Sequence, residues 1–102
     1  MDPKRLKETL IRVLQGYAGE AGNGYSYLTH TDDGEMFTVV SMAQVRDQHI
    51  VDTDLIVLLR NNLIIIERDV NDKILADALI QAGISREQII LAYAGETVEE
   101  VV

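Results

Sequence analysis

The side chains of this sequence with the types to carry chemistry are two histidines, His30 and His49, two carboxylates, Asp52 and Asp54, and the serines Ser41 and Ser85. A zinc-type centre draws several His, Cys or carboxylate ligands at fixed spacing, and here the histidines lie in different segments, each without a second histidine nearby. The chain contains no cysteine, so a thiolate ligand, a disulfide framework and a thiol nucleophile are all excluded. Asp52 and Asp54 are two residues apart on an expected strand, which puts them on one face, where they could hold a divalent cation. A polar strand end beside a turn places the same pair there without one. Neither Ser41 nor Ser85 sits in a nucleophile elbow. The residues therefore read as a non-enzyme with no cofactor and no metal. The alternative is a small-ligand module or enzyme using Asp52, Asp54, His49 or His30, which requires a deep polar pocket converging on them.

Gly19, Gly22 and Gly24 resemble a phosphate loop only superficially. Such loops follow a strand and open a helix, whereas these glycines follow a helix and precede a strand.

The elements that must position these residues centre on Ile50 to Asp69. Leu55 to Leu59 and Leu63 to Ile66 are apolar runs separated by Arg60-Asn61-Asn62. Asparagine tolerates positive φ, so Asn61-Asn62 suits a two-residue primed turn. Counting outward pairs Arg60 with Leu63, Leu59 with Ile64, Leu58 with Ile65, Val57 with Ile66, Ile56 with Glu67 and Leu55 with Arg68. Apolar residues then stand on both faces, so the hairpin should be covered on both sides.

Upstream, Asp2 caps and Pro3 opens a helix, and Leu6, Leu10, Val13, Leu14 and Tyr17 recur at helical spacing to about Ala18. Its polar face carries Lys4, Arg5, Lys7, Glu8 and Arg12. That face could meet an acidic partner or a phosphate, but an ordinary solvated helix face is the favoured reading. Tyr25 to Thr31 reads as a strand, Asp32-Asp33-Gly34 as a turn, and Glu35 to Val45 as a longer strand. Arg46-Asp47-Gln48 turns into His49 and the hairpin. Downstream, Ile74, Leu75, Ala78, Leu79 and Ala82 give a second helix with Asn71 as cap and Gly83 at its C-terminal end. Ser85 to Gln88 has capping-box spacing, and Ile89 to Tyr93 reads as a short buried strand. The fold class is α+β: an N-terminal helix, a four-stranded antiparallel meander, a second helix and a short C-terminal strand. The whole, residues 1–102, is one domain.

Hydrophobic residues make up 47% of the 102, with few Gly and Pro, as in an ordered globular chain. Nine basic against seventeen acidic residues give a formal charge of −8, a poor match to the phosphate backbone of DNA or RNA. The chain opens on an amphipathic pattern and not an apolar leader, and Leu55 to Ile66 is too short to span a bilayer, so a cytoplasmic protein is expected.

Three stretches resemble the C-terminal half of the XisI-like proteins, the fdxN element excision controlling factor family: Ile64-Ile65-Ile66-Glu67-Arg68-Asp69, Ile74 to Leu79, and Ala82-Gly83-Ile84 through Gln88-Ile89-Ile90-Leu91-Ala92-Tyr93. The opening helix running into Tyr17-Ala18, and the acidic turn before the second long strand, are similar too. Departures are the lack of any Trp, where the family commonly has Gly-Trp in the second strand and Trp in the fourth. The third strand carries Ile56, Val57 and Leu58 where the family has polar His and Asp, and no Pro or Arg follows Tyr93. The resemblance implies an accessory to a separate recombinase in programmed excision of a DNA element during cyanobacterial cell differentiation. It also implies a companion protein of the XisH type. Direct nucleic-acid binding, motivated only by Lys4, Arg5, Lys7 and Arg12, is not expected, nor is membrane association.

Self-association is expected as well. If both helices pack on one sheet face, the other exposes Val57 and Ile66, or Leu58 and Ile65, as an apolar patch unusual for a soluble monomer. Burying it at ~25 cal/mol per Å² favours a two-fold dimer by several kcal/mol before entropic costs. One helix on each face would instead cover the hairpin within a single chain.

Overall fold

The computed structural model describes residues 1–98. The Asp2 carboxylate accepts the Arg5 N–H at 2.9 Å and opens helix α1 (Pro3–Gln15). The helix ends at Gly16, short of Ala18, and Tyr17 and Ala18 continue only as tight i→i−3 turns. Strands β1 (Gly19–Ala21), β2 (Gly24–His30), β3 (Met36–Val45), β4 (Gln48–Arg60) and β5 (Leu63–Asp69) follow. Helix α2 (Leu75–Gln81), a 3₁₀ turn at Arg86–Gln88, strand β6 (Ile89–Leu91) and a second 3₁₀ turn at Ala92–Ala94 complete the order. No helix among the described residues is long and apolar enough to cross a membrane.

One six-stranded sheet runs β1 to β6 in sequence order, antiparallel except for β6, which lies parallel to β5. A parallel neighbour needs a crossover, and α2 is that crossover. The α+β class and the meander stand as expected. The glycine cluster does more than end α1, because Gly22-Asn23 joins β1 to β2 as a further hairpin.

The central turn has both asparagines at positive φ, 51° and 61°, the primed geometry. The inner four pairs, from Arg60–Leu63 to Val57–Ile66, match the outward count. Beyond them the register slips. Ile56 pairs with Arg68 and Leu55 with Asp69, so Glu67 is the extra residue of a bulge. A second bulge lies between β3 and β4, where Val39 pairs with Leu55 and Val40 with Thr53, leaving Asp54 extra. Each bulge adds local twist and lets a strand resume its inside-outside alternation after a polar residue.

The core lies on one face of the sheet. Leu6, Leu10 and Leu14 from α1 and Leu75, Ala76 and Leu79 from α2 pack on Phe37, Val39, Leu55, Val57, Ile64, Ile66 and Ile89, joined by Ile84 from the loop after α2. The two helices also touch each other, so both cover the same face. The first half of β4, Gln48–Asp54, pairs with β3 on one side and has no strand partner from β5 on the other, where the Arg68 side chain reaches the Thr53 carbonyl oxygen. Together with β1, the start of β2 and the end of β3 it forms an arm beyond the helices, while Leu28 of β2 packs against the core, and the molecule measures 53 × 27 × 26 Å.

Candidate functional site

Asp54 and Ser41 are brought together by the bulge. As the extra residue, Asp54 turns its carboxylate onto the Ser41 hydroxyl, which donates to Oδ2. Ser41 Oγ is also 2.7 Å from Ser26 Oγ on the next strand. The resulting row Ser26–Ser41–Asp54 is part-buried on the helix-side face, where the helices end and the arm begins. A carboxylate beside a hydroxyl without an imidazole is too weak a base to generate an alkoxide at neutral pH. The row instead satisfies polar groups at the rim of the core. Asp54 was legible as a candidate, whereas Ser26 gave no local signal, because only strand pairing brings it to Ser41.

The other chemistry-bearing residues do not converge. Asp52 pairs with Ser41 but is exposed, in an open groove with Val51, Thr53, Ile56 and Arg68 that contains neither histidine. His30 is exposed, with Nδ1 at 2.9 Å from the Thr31 carbonyl oxygen. His49 is exposed on the arm, and Ser85 spends its hydroxyl accepting the Glu87 N–H at 3.3 Å. Among the described residues no group of three or more His, Asp or Glu stands close enough to hold a metal ion.

Of the four hairpin residues expected to make contacts, Val57 and Ile66 are fully buried beneath the helices. That placement takes them out of any surface open to a partner. Leu58 and Ile65 pair with each other on the opposite face and are half-buried by their neighbours alone. Register places Met36, Thr38, Val40, Ile56, Tyr25 and Tyr27 on that same face. The Thr29 and Thr38 hydroxyls hydrogen-bond across it, and the rings of Tyr25 and Tyr27 lie 4.5 Å apart. No described helix packs there.

The basic residues of α1 do not form one patch. Lys4, Arg5 and Arg12 are exposed, while Lys7 is half-buried with its amine against Gly34, where a Cβ would collide with it. Gly34 itself needs its positive φ of 68° in the β2–β3 turn, which Asp33 closes by accepting from Thr31 and from the Glu35 N–H.

Three locking contacts stand outside the expected set. Asp69, not Asn71, caps α2: its Oδ2 accepts the Leu75 N–H at 2.8 Å while its Oδ1 accepts both the backbone and side-chain N–H groups of Asn71 at 3.0 Å. Tyr17 donates to the Lys73 carbonyl oxygen at 2.9 Å, with the Lys73 amine 5.1 Å from the ring centre, which ties the end of α1 to the start of α2. Burial, with Asp69 and Asp77 nearby, pushes this phenol up to about 12. Glu96 accepts the Leu91 N–H at 2.9 Å and pairs with Arg86 at 2.7 Å, so its carboxyl is held below the usual range. Glu96 read only as part of an acidic tail; of its companions there, Glu99 and Glu100 lie outside the described residues.

The family model described as XisI protein matches residues 2–102. No curated protein matches the chain. Among solved structures, the fold is similar to a XisI-like protein from Anabaena variabilis ATCC 29413, with a TM-score of 0.74 at 16% identity over 88% of this chain and 85% of that one. It is also similar to the fdxN element excision controlling factor XisI from the same organism, with a TM-score of 0.65 at 18% identity over 90% of this chain and 93% of that one.

Proposed function

The chain belongs to the XisI family, and from that premise we propose that it is a non-enzymatic accessory factor in the control of programmed DNA element excision, of the type named for the fdxN element. It acts in the cytoplasm through protein contacts, with an XisH-like companion as partner. The observation that carries this reading is the match of the family model along residues 2–102, with a similar fold in a protein named as an excision controlling factor. The surface agrees with protein contact. A body of formal charge −8 repels nucleic acid, and a broad apolar sheet face stands clear of both helices.

The ligand-binding alternative needs His30, His49, Asp52 and Asp54 to converge, and they are spread over two strands that are not neighbours, β2 and β4, with both histidines exposed. No observation favours it. The test is affinity capture of the tagged full chain from its native host, together with deletion of its gene and an assay of element excision. Recovery of an XisH-like companion and altered excision are expected. Capture without a companion, with excision unchanged, overturns the proposal.

A further inference from the structure

We propose that the open face of the sheet is the dimer interface of this protein, occupied by a second copy packed face to face across a two-fold axis. The centre of this face is Met36, Thr38, Val40, Ile56, Leu58 and Ile65, six contiguous positions on three adjacent strands, none of them charged. Tyr27 extends it onto β2.

Three arguments select a second copy as the occupant. The first is area. Strands β2 to β5 hold 7, 10, 13 and 7 residues, which at about 3.4 Å per residue and about 4.8 Å between strands present roughly 600 Å². A standard stable interface takes about 800 Å² from each partner, so the face is near the size a dimer of this chain needs. The second is charge. Two bodies of −8 can approach only where carboxylates are sparse, and register leaves Glu20, Arg60, Glu67 and Arg68 around this face with an uncharged centre between them. The third is geometry. A face of Thr, Val, Ile, Leu and Met on a twisted antiparallel sheet matches its own copy, and two such faces interdigitate as an aligned sandwich about 10 Å thick. An isologous contact closes at two copies and leaves the helix side of the sheet and of the arm free. The inference does not depend on the excision reading.

Sedimentation equilibrium on the full chain across about 1–100 µM is the test, a range that covers micromolar dissociation constants. The expected mass is twice the 11.4 kDa of the chain, and the dimer tightens as salt screens the like charges. Leu58→Lys at the centre and Met42→Lys toward the arm, the latter already 38% exposed, each weaken association at least tenfold. Because Met42 is exposed, its variant keeps the test decisive if Leu58→Lys fails to fold. Ile50→Lys, on the helix-side face of the arm, leaves the dimer intact. A wild-type mass of 11.4 kDa at the top of the range overturns the proposal and leaves the face to an unlike partner. So does a dimer that survives Met42→Lys, or one abolished by Ile50→Lys, which would indicate pairing through the β4 edge.

Discussion

The carboxylate of Asp69, the last residue of β5, accepts the backbone N–H of Leu75, the first residue of α2, at 2.8 Å. A strand end thus caps the next helix across a five-residue connection, whose Asn71 it binds with its other oxygen. Ile74 occupies the N-cap position and has no side-chain oxygen to offer. Asp69→Ala should therefore destabilise by about 1–2 kcal/mol, the typical cost of a lost cap. At about 4–8 °C per kcal/mol for a chain near this size, thermal unfolding should show it plainly. Asp69→Asn retains one acceptor and should lose less. Equal losses for the two variants would assign the effect to charge and not to the cap.

Glu96 makes stability depend on acid. Its folded carboxyl titrates below the ordinary glutamate value because the Leu91 N–H and then Arg86 stabilise the anion. A depressed folded value contributes stability that is present above the unfolded value and lost as pH falls through the folded one. Glu96→Gln should therefore be less stable than wild type at pH 7, and the difference should shrink toward zero in acid below both values. Urea unfolding of the two proteins across that range checks this. A difference that persists undiminished in acid would assign the effect to packing.

Tyr17 sets the opposite limb. Its phenol is pushed up to about 12 by burial and the nearby Asp69 and Asp77. A raised folded value gives stability that is full below the unfolded value near 10 and lost as pH rises through about 12. Absorbance titration of phenolate should show a late component that Tyr17→Phe removes, and the mutant should lose stability at neutral pH through the missing bond to the Lys73 carbonyl.

The basic residues of α1 should not give DNA affinity. Counterion release requires several phosphate contacts at once, and Lys7 is turned against Gly34 while Lys4, Arg5 and Arg12 remain on a body of −8. No shift of duplex DNA is expected in an electrophoretic assay at physiological salt. Salt-sensitive micromolar binding, abolished by neutralising Lys4, Arg5, Lys7 and Arg12, would contradict this.

Local chemistry made much of the fold legible. Asp2 and Pro3 announce α1 because a cap and a proline act within one turn. Asn61-Asn62 announces the hairpin because positive φ is an intrinsic tolerance of asparagine, and the first four pairs follow by counting. Gly83, at a φ of 101°, ends α2 for a similar reason. Counting fails at Glu67 and Asp54, where bulges move the register: whether a strand absorbs an extra residue is decided by the strands and helices packed on it. The same limit hid Asp69 behind Asn71 as the cap, since a carboxylate six residues away reaches Leu75 only once β5 and α2 are docked.

Of the candidate site, the sequence by itself determined the residue types: no thiol, scattered histidines, and a hairpin with apolar residues on both faces. Which pair that hairpin buries and which it presents was decided by tertiary structure alone. Strand alternation makes the two faces equivalent until helices choose one, and α1 and α2 choose the same one. Their leucines share a single core with Val57 and Ile66, where burial of apolar surface is favourable, and this leaves Leu58 and Ile65 outside.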